Sequence, residues 1–133
     1  MRAAIVAIAM LAGAGPALAA AAIQAGEAKA TFFGLDMGGV YKPDGAPWRE
    51  CITPAGETTY WMDGAVDKGR LSVRDDGALC FSYASSQYQR QSCYWAVREG
   101  QGWRFTNVHD PEVVFLAQRA QRVKTCAGND AVS

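Results

Sequence analysis

The chain has 133 residues, with 13 Lys and Arg balanced by 13 Asp and Glu, and it carries five Phe, five Tyr and four Trp. This balance argues against a nucleic-acid-binding protein, which normally has a basic face, and it gives no reason to expect an anionic membrane surface as partner. The length suits one domain, of the size at which exported proteins often add disulfides.

The N-terminus has the pattern of a secretory signal peptide. Arg2 precedes the apolar residues 3–11, a Gly- and Pro-containing stretch follows, and Ala17-Leu18-Ala19 fits the small-residue cleavage rule. We predict cleavage after Ala19. The alternative is an uncleaved membrane anchor, because residues 3–22 contain no charge.

Cleavage after Ala19 removes Arg2 as the only charged residue and leaves 114 residues, with 12 basic and 13 acidic side chains. No cysteine follows the cleavage site for lipid attachment, so we expect no stable membrane anchor after cleavage and a periplasmic or secreted location. Residues 20–31 are predicted to form an N-terminal arm, either loose or as a short helix. Residues 32–133 are predicted to form a single β-domain.

Turn sequences such as Asp63-Gly64 and Asp76-Gly77 separate short runs rich in Val, Thr, Tyr, Phe and Trp. Such spacing is typical of antiparallel strands. Segment 118–126 favours either a last strand or a short helix. We predict an all-β fold, an antiparallel meander of seven or eight strands that closes into a small barrel or a tight sandwich, with strands at residues 40–42, 48–53, 58–62, 70–74, 78–83, 92–98, 103–108 and 112–117.

The four cysteines after the predicted cleavage site, Cys51, Cys80, Cys93 and Cys126, form an even set, which indicates two disulfides in an exported domain. The chain has no C-x-x-C motif and no Cys/His cluster, so we expect neither a metal site nor a redox or haem cofactor. If strands 78–83 and 92–98 form a hairpin, Cys80 lies opposite Cys93, close enough for a bridge. Cys51 and Cys126 are then left to pair.

Candidate catalytic residues are few. His109-Asp110-Pro111 favours a turn over a catalytic dyad, and no serine lies in a G-x-S-x-G motif. Glu50 shares a strand face with Trp48 and Ile52, so its carboxyl group needs a raised pKa or a specific partner. We expect a position at the barrel rim, paired with an arginine. We predict no catalytic residue and no enzymatic activity.

Aromatic side chains could line a ligand pocket or fill the core of a small barrel. For a chain of this length we expect a filled core. The pocket alternative would also draw on Tyr94 and Trp103. The candidate residues for contact with a ligand or partner are Trp48, Glu50, Tyr60, Trp61, Trp95 and Tyr88.

The motifs DGAPWRE (44–50), YWMDG (60–64) and GRLSVRDDGALCF (69–81), followed by Cys93, resemble a group of small exported bacterial proteins of unknown function. That group has the pattern D-G-x-x-W-x-E, then G-x-W-x-V and a later cysteine. This chain differs at Leu71, where the group often has tryptophan, and by the additional Cys51 and Cys126. The resemblance implies the fold and carries over no catalytic residue.

These features predict an exported, non-enzymatic binding or accessory protein whose partner is a protein or a small apolar ligand. The alternative is an inhibitor of an extracytoplasmic hydrolase that acts through an exposed loop at residues 84–90.

Overall fold

A computed structural model describes residues 21–85 and 91–126. Each strand pairs antiparallel with the next one, and the last strand pairs with the first, so that the sheet closes into a barrel. This confirms the all-β meander and shows that it is a barrel. The elements are one helix, α1 (Ala25–Phe32), and eight strands, β1 (Leu35–Tyr41), β2 (Pro47–Ile52), β3 (Glu57–Met62), β4 (Ala65–Val73), β5 (Leu79–Tyr83), β6 (Ser92–Glu99), β7 (Gly102–Asn107) and β8 (Val114–Arg122).

Three strands, β1, β4 and β8, are at least three residues longer than the sequence indicated. β1 and β4 begin five residues before their predicted starts, within segments whose glycines or charged residues are typical of turns. β8 continues to Arg122, so residues 118–122 belong to a strand and not to a helix. In each case pairing with a neighbouring strand determines the extended conformation.

The turn between β3 and β4 explains why Asp63-Gly64 joins two adjacent strands so tightly. Asp63 has φ 51° and Gly64 has φ 76°. Positive φ at both central residues is characteristic of a type I′ turn. The backbone twist of this turn matches the twist of the two strands that it joins in a two-residue hairpin. The turn therefore sets the register that brings Tyr60 opposite Asp67.

Both disulfides follow the predicted pairing. Cys80 lies directly opposite Cys93 in the register of β5 and β6, and the two are bonded. Cys51 in β2 is bonded to Cys126, which lies after the end of β8. The register expected for the hairpin is therefore confirmed at Cys80, while the predicted loop at 84–90 lies mostly outside the described residues.

Helix α1 closes one end of the barrel, which we call the base. Ala28 and Phe32, one helical turn apart and therefore on the same face, are completely buried. The Phe32 ring centroid lies 5.0 Å from that of Trp103 and 5.4 Å from that of Phe105. The short-helix alternative for the N-terminal arm thus describes residues 25–32, whereas the predicted signal peptide lies outside the described residues.

The guanidinium of Arg122 fastens α1 to the end of β8. It donates to the carbonyl oxygens of Ala30 and Phe33, at 3.3 Å and 3.1 Å. These carbonyls belong to the last turn of the helix, where backbone acceptors lack partners within the helix. The opposite end of the barrel carries the turns at residues 42–46, 63–64 and 108–113, and we call it the mouth.

Candidate functional site

The barrel encloses a cavity of about 110 Å³ between the base and the mouth. The wall contains five buried residues, Met37, Trp48, Glu50, Phe81 and Phe105. It also contains four partly exposed residues, Tyr60, Tyr83, Tyr94 and Phe115. The expectation of a filled core is therefore correct near α1 and wrong in the half of the barrel toward the mouth.

Register places these wall residues on one face. Residues directly opposite each other on antiparallel strands point to the same side of the sheet. Met37 lies opposite Glu50, and Glu50 lies opposite Tyr60. On β5 the side chains that point into the barrel are those of Leu79, Phe81 and Tyr83, as the sequence pattern predicted.

The aromatic rings of the wall contact one another in a continuous network. Phe115 packs edge-on against Trp48 and Tyr94, with centroid distances of 5.5 Å and 5.7 Å. Tyr60 lies 5.6 Å from Tyr83, which stacks on Phe81 at 6.1 Å. Such contacts add stability beyond the area that they bury, so the wall is held in place by its own side chains.

Glu50 is the acidic residue in this wall, and its side chain is only 3% exposed. The hydroxyl of Tyr83 donates to Oε2 of Glu50 at 2.6 Å. The other carboxyl oxygen, Oε1, is buried and has no hydrogen-bond partner among the described residues. Among the described residues no arginine pairs with Glu50, contrary to the prediction, because the neighbouring Arg49 points to the outer face, where it pairs with Asp36 at 2.6 Å.

Burial raises the pKa of Glu50 to about 8. The hydrogen bond from Tyr83 and the nearby hydroxyl of Thr58 lower this pKa in part, and the charge of Asp67 raises it. The Thr58 hydroxyl is close enough to act on the charge but does not reach hydrogen-bond geometry. Near neutral pH the carboxyl group of Glu50 is therefore mostly protonated.

The tyrosines around Glu50 remain neutral over the same range of pH. Burial, followed by the charge of Glu50, raises the pKa of both Tyr60 and Tyr83. Burial is also the main cause that raises the pKa of Tyr94. Glu50 is thus the wall residue whose charge changes near neutral pH.

Trp48 contributes a second unsatisfied polar atom to the wall. Its Nε1 is buried without a hydrogen-bond partner in the described part of the chain. A buried donor or acceptor left without a partner costs about 1–3 kcal/mol. The wall of the cavity therefore contains two side chains with a buried, unsatisfied polar atom, Glu50 and Trp48, among mostly aromatic neighbours.

The three described turns of the mouth are acidic. These turns carry four acidic residues, Asp44, Asp63, Asp110 and Glu112. Their basic residues are Lys42 and the exposed His109. Just inside, the side chain of Asp67 accepts hydrogen bonds from the backbone N–H and the hydroxyl of Ser85. A negative rim of this kind attracts cations and repels anions.

The residues predicted to contact a ligand or partner divide between the two faces of the barrel. Trp48, Glu50 and Tyr60 line the cavity. Trp61 lies on the outer face, where the guanidinium of Arg49 stacks 4.5 Å from its ring centroid. Trp95 lies on the outer face beside the Cys80–Cys93 bridge, and Tyr88 lies outside the described residues.

Phe81, Tyr83, Phe105 and Phe115 were not among the predicted contact residues. Their signal was present in part, since alternation already placed Phe81 and Tyr83 on one inward face. Tyr94 was considered for a pocket and does line it, whereas Trp103 packs against Phe32 at the base. Whether an inward side chain lines the cavity or fills the core depends on its depth along the barrel. Strand alternation assigns a side chain to a face of the sheet and does not give that depth.

The His109-Asp110 pair forms the turn that its sequence favoured. The side-chain oxygen of Asn107 accepts hydrogen bonds from the backbone N–H groups of His109 and Asp110, at 2.9 Å and 3.1 Å. Both side chains are exposed. Asp76-Gly77 likewise forms a hairpin turn, in which Asp76 pairs with Arg74.

Within residues 21–85 and 91–126, no group of three or more His, Cys, Asp or Glu side chains is placed to hold a metal ion. In the same residues, no helix has the length and apolar character needed to cross a membrane. The two disulfides are typical of a protein from an oxidising compartment.

Comparison with protein-family models, with curated proteins and with solved structures found no match. The resemblance to a group of small exported bacterial proteins therefore stays a prediction, as does the alternative of a hydrolase inhibitor. The case for a function depends on the cavity itself.

Proposed function

We propose that the protein is an exported, non-enzymatic binding protein that takes a small molecule into the aromatic cavity of its barrel. The observation that carries this proposal is the cavity, with seven aromatic rings and the buried carboxyl group of Glu50 in its wall. Small-molecule sites are concave and mostly apolar, with a few polar groups that fix the orientation of the ligand. An eight-stranded barrel is wide enough to hold one small ligand.

The size of the cavity limits the ligand. An apolar cavity of about 150 Å³ binds benzene, so a cavity of about 110 Å³ suits a molecule no larger than a single small ring or a branched four-carbon group. The partly exposed rings of Tyr60, Tyr83, Tyr94 and Phe115 leave the cavity accessible from the mouth.

Export supports the same proposal. The predicted signal peptide and the two disulfides both suit a periplasmic or secreted protein. In such a location a binding protein meets small molecules from the surroundings of the cell.

The indole N–H signals in a ¹⁵N–¹H correlation spectrum test the proposal directly. We expect benzene, tert-butanol or tert-butylammonium, added singly, to shift the Trp48 signal in a saturable manner. The signals of Trp61 and Trp95 should stay unchanged, because both residues lie on the outer face. If none of the three probes shifts Trp48, the cavity is not a binding site and the proposed function is wrong.

A pair of substitutions controls for the position of binding. Met37→Trp adds volume to the cavity wall and should abolish the shift in a variant that thermal unfolding shows to be folded. Val66→Trp places the same side chain at an exposed position, 50% accessible in the structure, and should leave binding unchanged. Binding that survives Met37→Trp would place the ligand elsewhere.

A further inference from the structure

Resting on the proposed function, we propose that the ligand class is a small protonated alkylamine, whose N–H group donates to the carboxylate of Glu50 while its carbon atoms contact the surrounding rings. Glu50 lines the cavity and is 97% buried, and in the described part of the chain its Oε1 makes no hydrogen bond of good geometry, with the Thr58 hydroxyl nearby. A ligand donor satisfies this carboxylate, and a charged donor does so most strongly.

The aromatic wall favours a cation over a neutral ligand of the same shape. A cation within about 6 Å of a ring centroid is attracted by the quadrupole of the ring, more strongly where water is excluded. Tyr60, Tyr83 and Phe81 contact one another in sequence, Trp48 contacts Phe115, and Tyr60 joins the two groups through Phe115 at 6.5 Å. All five rings line the cavity. No lysine, arginine or histidine is among the described residues that line it.

The acidic residues in the described turns of the mouth and in β4 support the same sign of charge. Asp63 and Asp67 lie close enough to the cavity to act on the tyrosine and carboxyl groups of its wall. An approaching cation is attracted by these carboxylates, whereas an anion is repelled. The cavity of about 110 Å³ has room for a small free amine but not for a larger molecule that carries an amine as its head group.

Binding of an alkylammonium ion to a protonated Glu50 requires a proton balance. The O–H bond of the Glu50 carboxyl group breaks, its proton leaves to solvent, and the resulting carboxylate pairs with the ammonium N–H. The ammonium ion keeps its own protons, since amines of this type have a pKa near that of lysine, about 10.4. Each ligand bound at pH 7 therefore releases close to one proton.

Among the described residues, the groups that face Glu50 leave this proton exchange to Glu50. The neighbouring phenols have raised pKa values and stay neutral, and the charged group that acts on it is the carboxylate of Asp67. The facing groups are Tyr60 from β3, Asp67 from β4, Tyr83 from β5 and Tyr94 from β6, with Tyr41 on β1 near Tyr60 and Tyr94, while β7 and β8 present the uncharged Phe105 and Phe115.

Affinity for three probes of similar size tests the inference by titration of the indole signal of Trp48. At pH 8.5 we expect tert-butylammonium to bind at least tenfold more tightly than tert-butanol, which has the same branched shape without the charge. Tetramethylammonium, which has no N–H to donate, should also bind at least tenfold more weakly than tert-butylammonium. Equal affinity for the alcohol would overturn the inference and leave the proposed function intact.

The pH dependence gives an independent test. The dissociation constant of tert-butylammonium should fall about tenfold from pH 6 to pH 7 and level off above pH 8.5, because below its pKa Glu50 must lose a proton for each ligand bound. Calorimetry in two buffers of different ionisation enthalpy should give about one proton released at pH 7. A dissociation constant that does not change with pH would contradict the proton exchange.

Substitution of the carboxyl group completes the test. Glu50→Gln keeps the shape and a hydrogen-bond acceptor, and it should weaken tert-butylammonium binding about 10- to 100-fold at pH 8.5 while leaving tert-butanol binding nearly unchanged. Glu57→Gln, at an exposed glutamate of β3, should change neither. Unchanged affinity for tert-butylammonium in Glu50→Gln would overturn the inference. Binding of the larger Nα-acetyl-lysine amide as tightly as tert-butylammonium would also overturn it.

Discussion

Glu50 and Arg49 are neighbours in β2 and face opposite sides of the sheet. Arg49 points outward, where it pairs with the carboxylate of Asp36 and stacks on Trp61. Glu50 points inward among aromatic rings and accepts one hydrogen bond, from Tyr83. Because strand alternation separates the two charges, Glu50 is held by burial in its neutral form and not by an ion pair.

This protonation makes stability depend on pH at a single residue. The pKa of Glu50 is about 8 in the folded chain against 4.5 for an unperturbed glutamate. Between these values the folded state holds a proton that the unfolded state has lost, so the free energy of unfolding falls as pH rises. The contribution is complete below about pH 4.5 and is lost by about pH 8, a change on the order of 5 kcal/mol.

Glu50→Gln removes the titrating group and should remove this dependence. We expect the variant and the unsubstituted protein to have similar free energies of unfolding at pH 5, with the variant more stable by several kcal/mol at pH 8.5. Urea denaturation at the two pH values measures the difference. Glu57→Gln should follow the unsubstituted protein at both, and a stability difference that is the same at pH 5 and pH 8.5 would contradict the assignment.

At the scale of the element, α1 depends on its docking. It has eight residues, and its N-cap residue, Gln24, makes no side-chain capping bond. A helix this short is unstable by itself in water. Burial of Phe32 against Trp103 and Phe105, with the two bonds from Arg122, therefore stabilises it, and the same contacts close the base of the barrel.

Phe32→Ala should cost about 3–5 kcal/mol of stability, the usual range for loss of a fully buried phenylalanine. Chemical denaturation measures this loss, and we expect hydrogen exchange of the α1 amides to accelerate together with it. Glu27→Gln, at an exposed position of the same helix, should change stability by no more than about 0.5 kcal/mol. A small effect of Phe32→Ala would mean that α1 is not needed to close the base.

The strands show how far local sequence predicted the elements. Arg70 to Arg74 alternates clearly and was found as a strand, but the preceding part of β4 contains Asp67, Lys68 and Gly69 and was missed. The glycine in that part is required by the close approach of β5, since a Cβ at Gly69 would lie 2.0 Å from the carbonyl oxygen of Ser82. Pairing across the barrel, which local propensity does not contain, determines the conformation there.

At the scale of the whole molecule, two disulfides stabilise different parts of the barrel. Cys80–Cys93 joins adjacent strands and spans 13 residues, whereas Cys51–Cys126 spans 75 and holds the segment after β8 against β2. The entropy lost by the unfolded chain grows with the length of the closed loop. The longer loop therefore contributes more to stability.

Removal of each bridge by paired Cys→Ser substitution should show this order. We expect a loss of about 4–5 kcal/mol for the Cys51–Cys126 pair and about 3 kcal/mol for the Cys80–Cys93 pair, from the chain-entropy relation. Chemical denaturation under oxidising conditions measures both. Under reducing conditions the differences between the two variants and the reduced parent should become small, and a larger loss for the shorter loop would contradict the order.

The sequence predicted the meander and its approximate strand count from turn residues, and the Cys80–Cys93 disulfide from hairpin register, which are local signals. The Cys51–Cys126 disulfide followed by elimination. The sequence did not predict the cavity, since the space between Trp48, Tyr60 and Phe115 depends on how side chains from distant strands meet inside the barrel. The sequence marked Glu50 as unusual on an apolar face and predicted a position at the rim beside an arginine. Its depth inside the barrel was not predicted, because the tilt and closure of the barrel decide how deep a residue lies.

The described chain both enters and leaves the barrel on the side of α1. Ile23, just before α1, bonds to Ala96 in the part of β6 that runs toward the base, and Cys126 is bonded to the part of β2 nearest the base. A linker attached at either point would therefore hold the molecule by the end opposite its opening. Immobilised on a sensor or resin in this way, the barrel would present its opening outward, and either point could carry the tether.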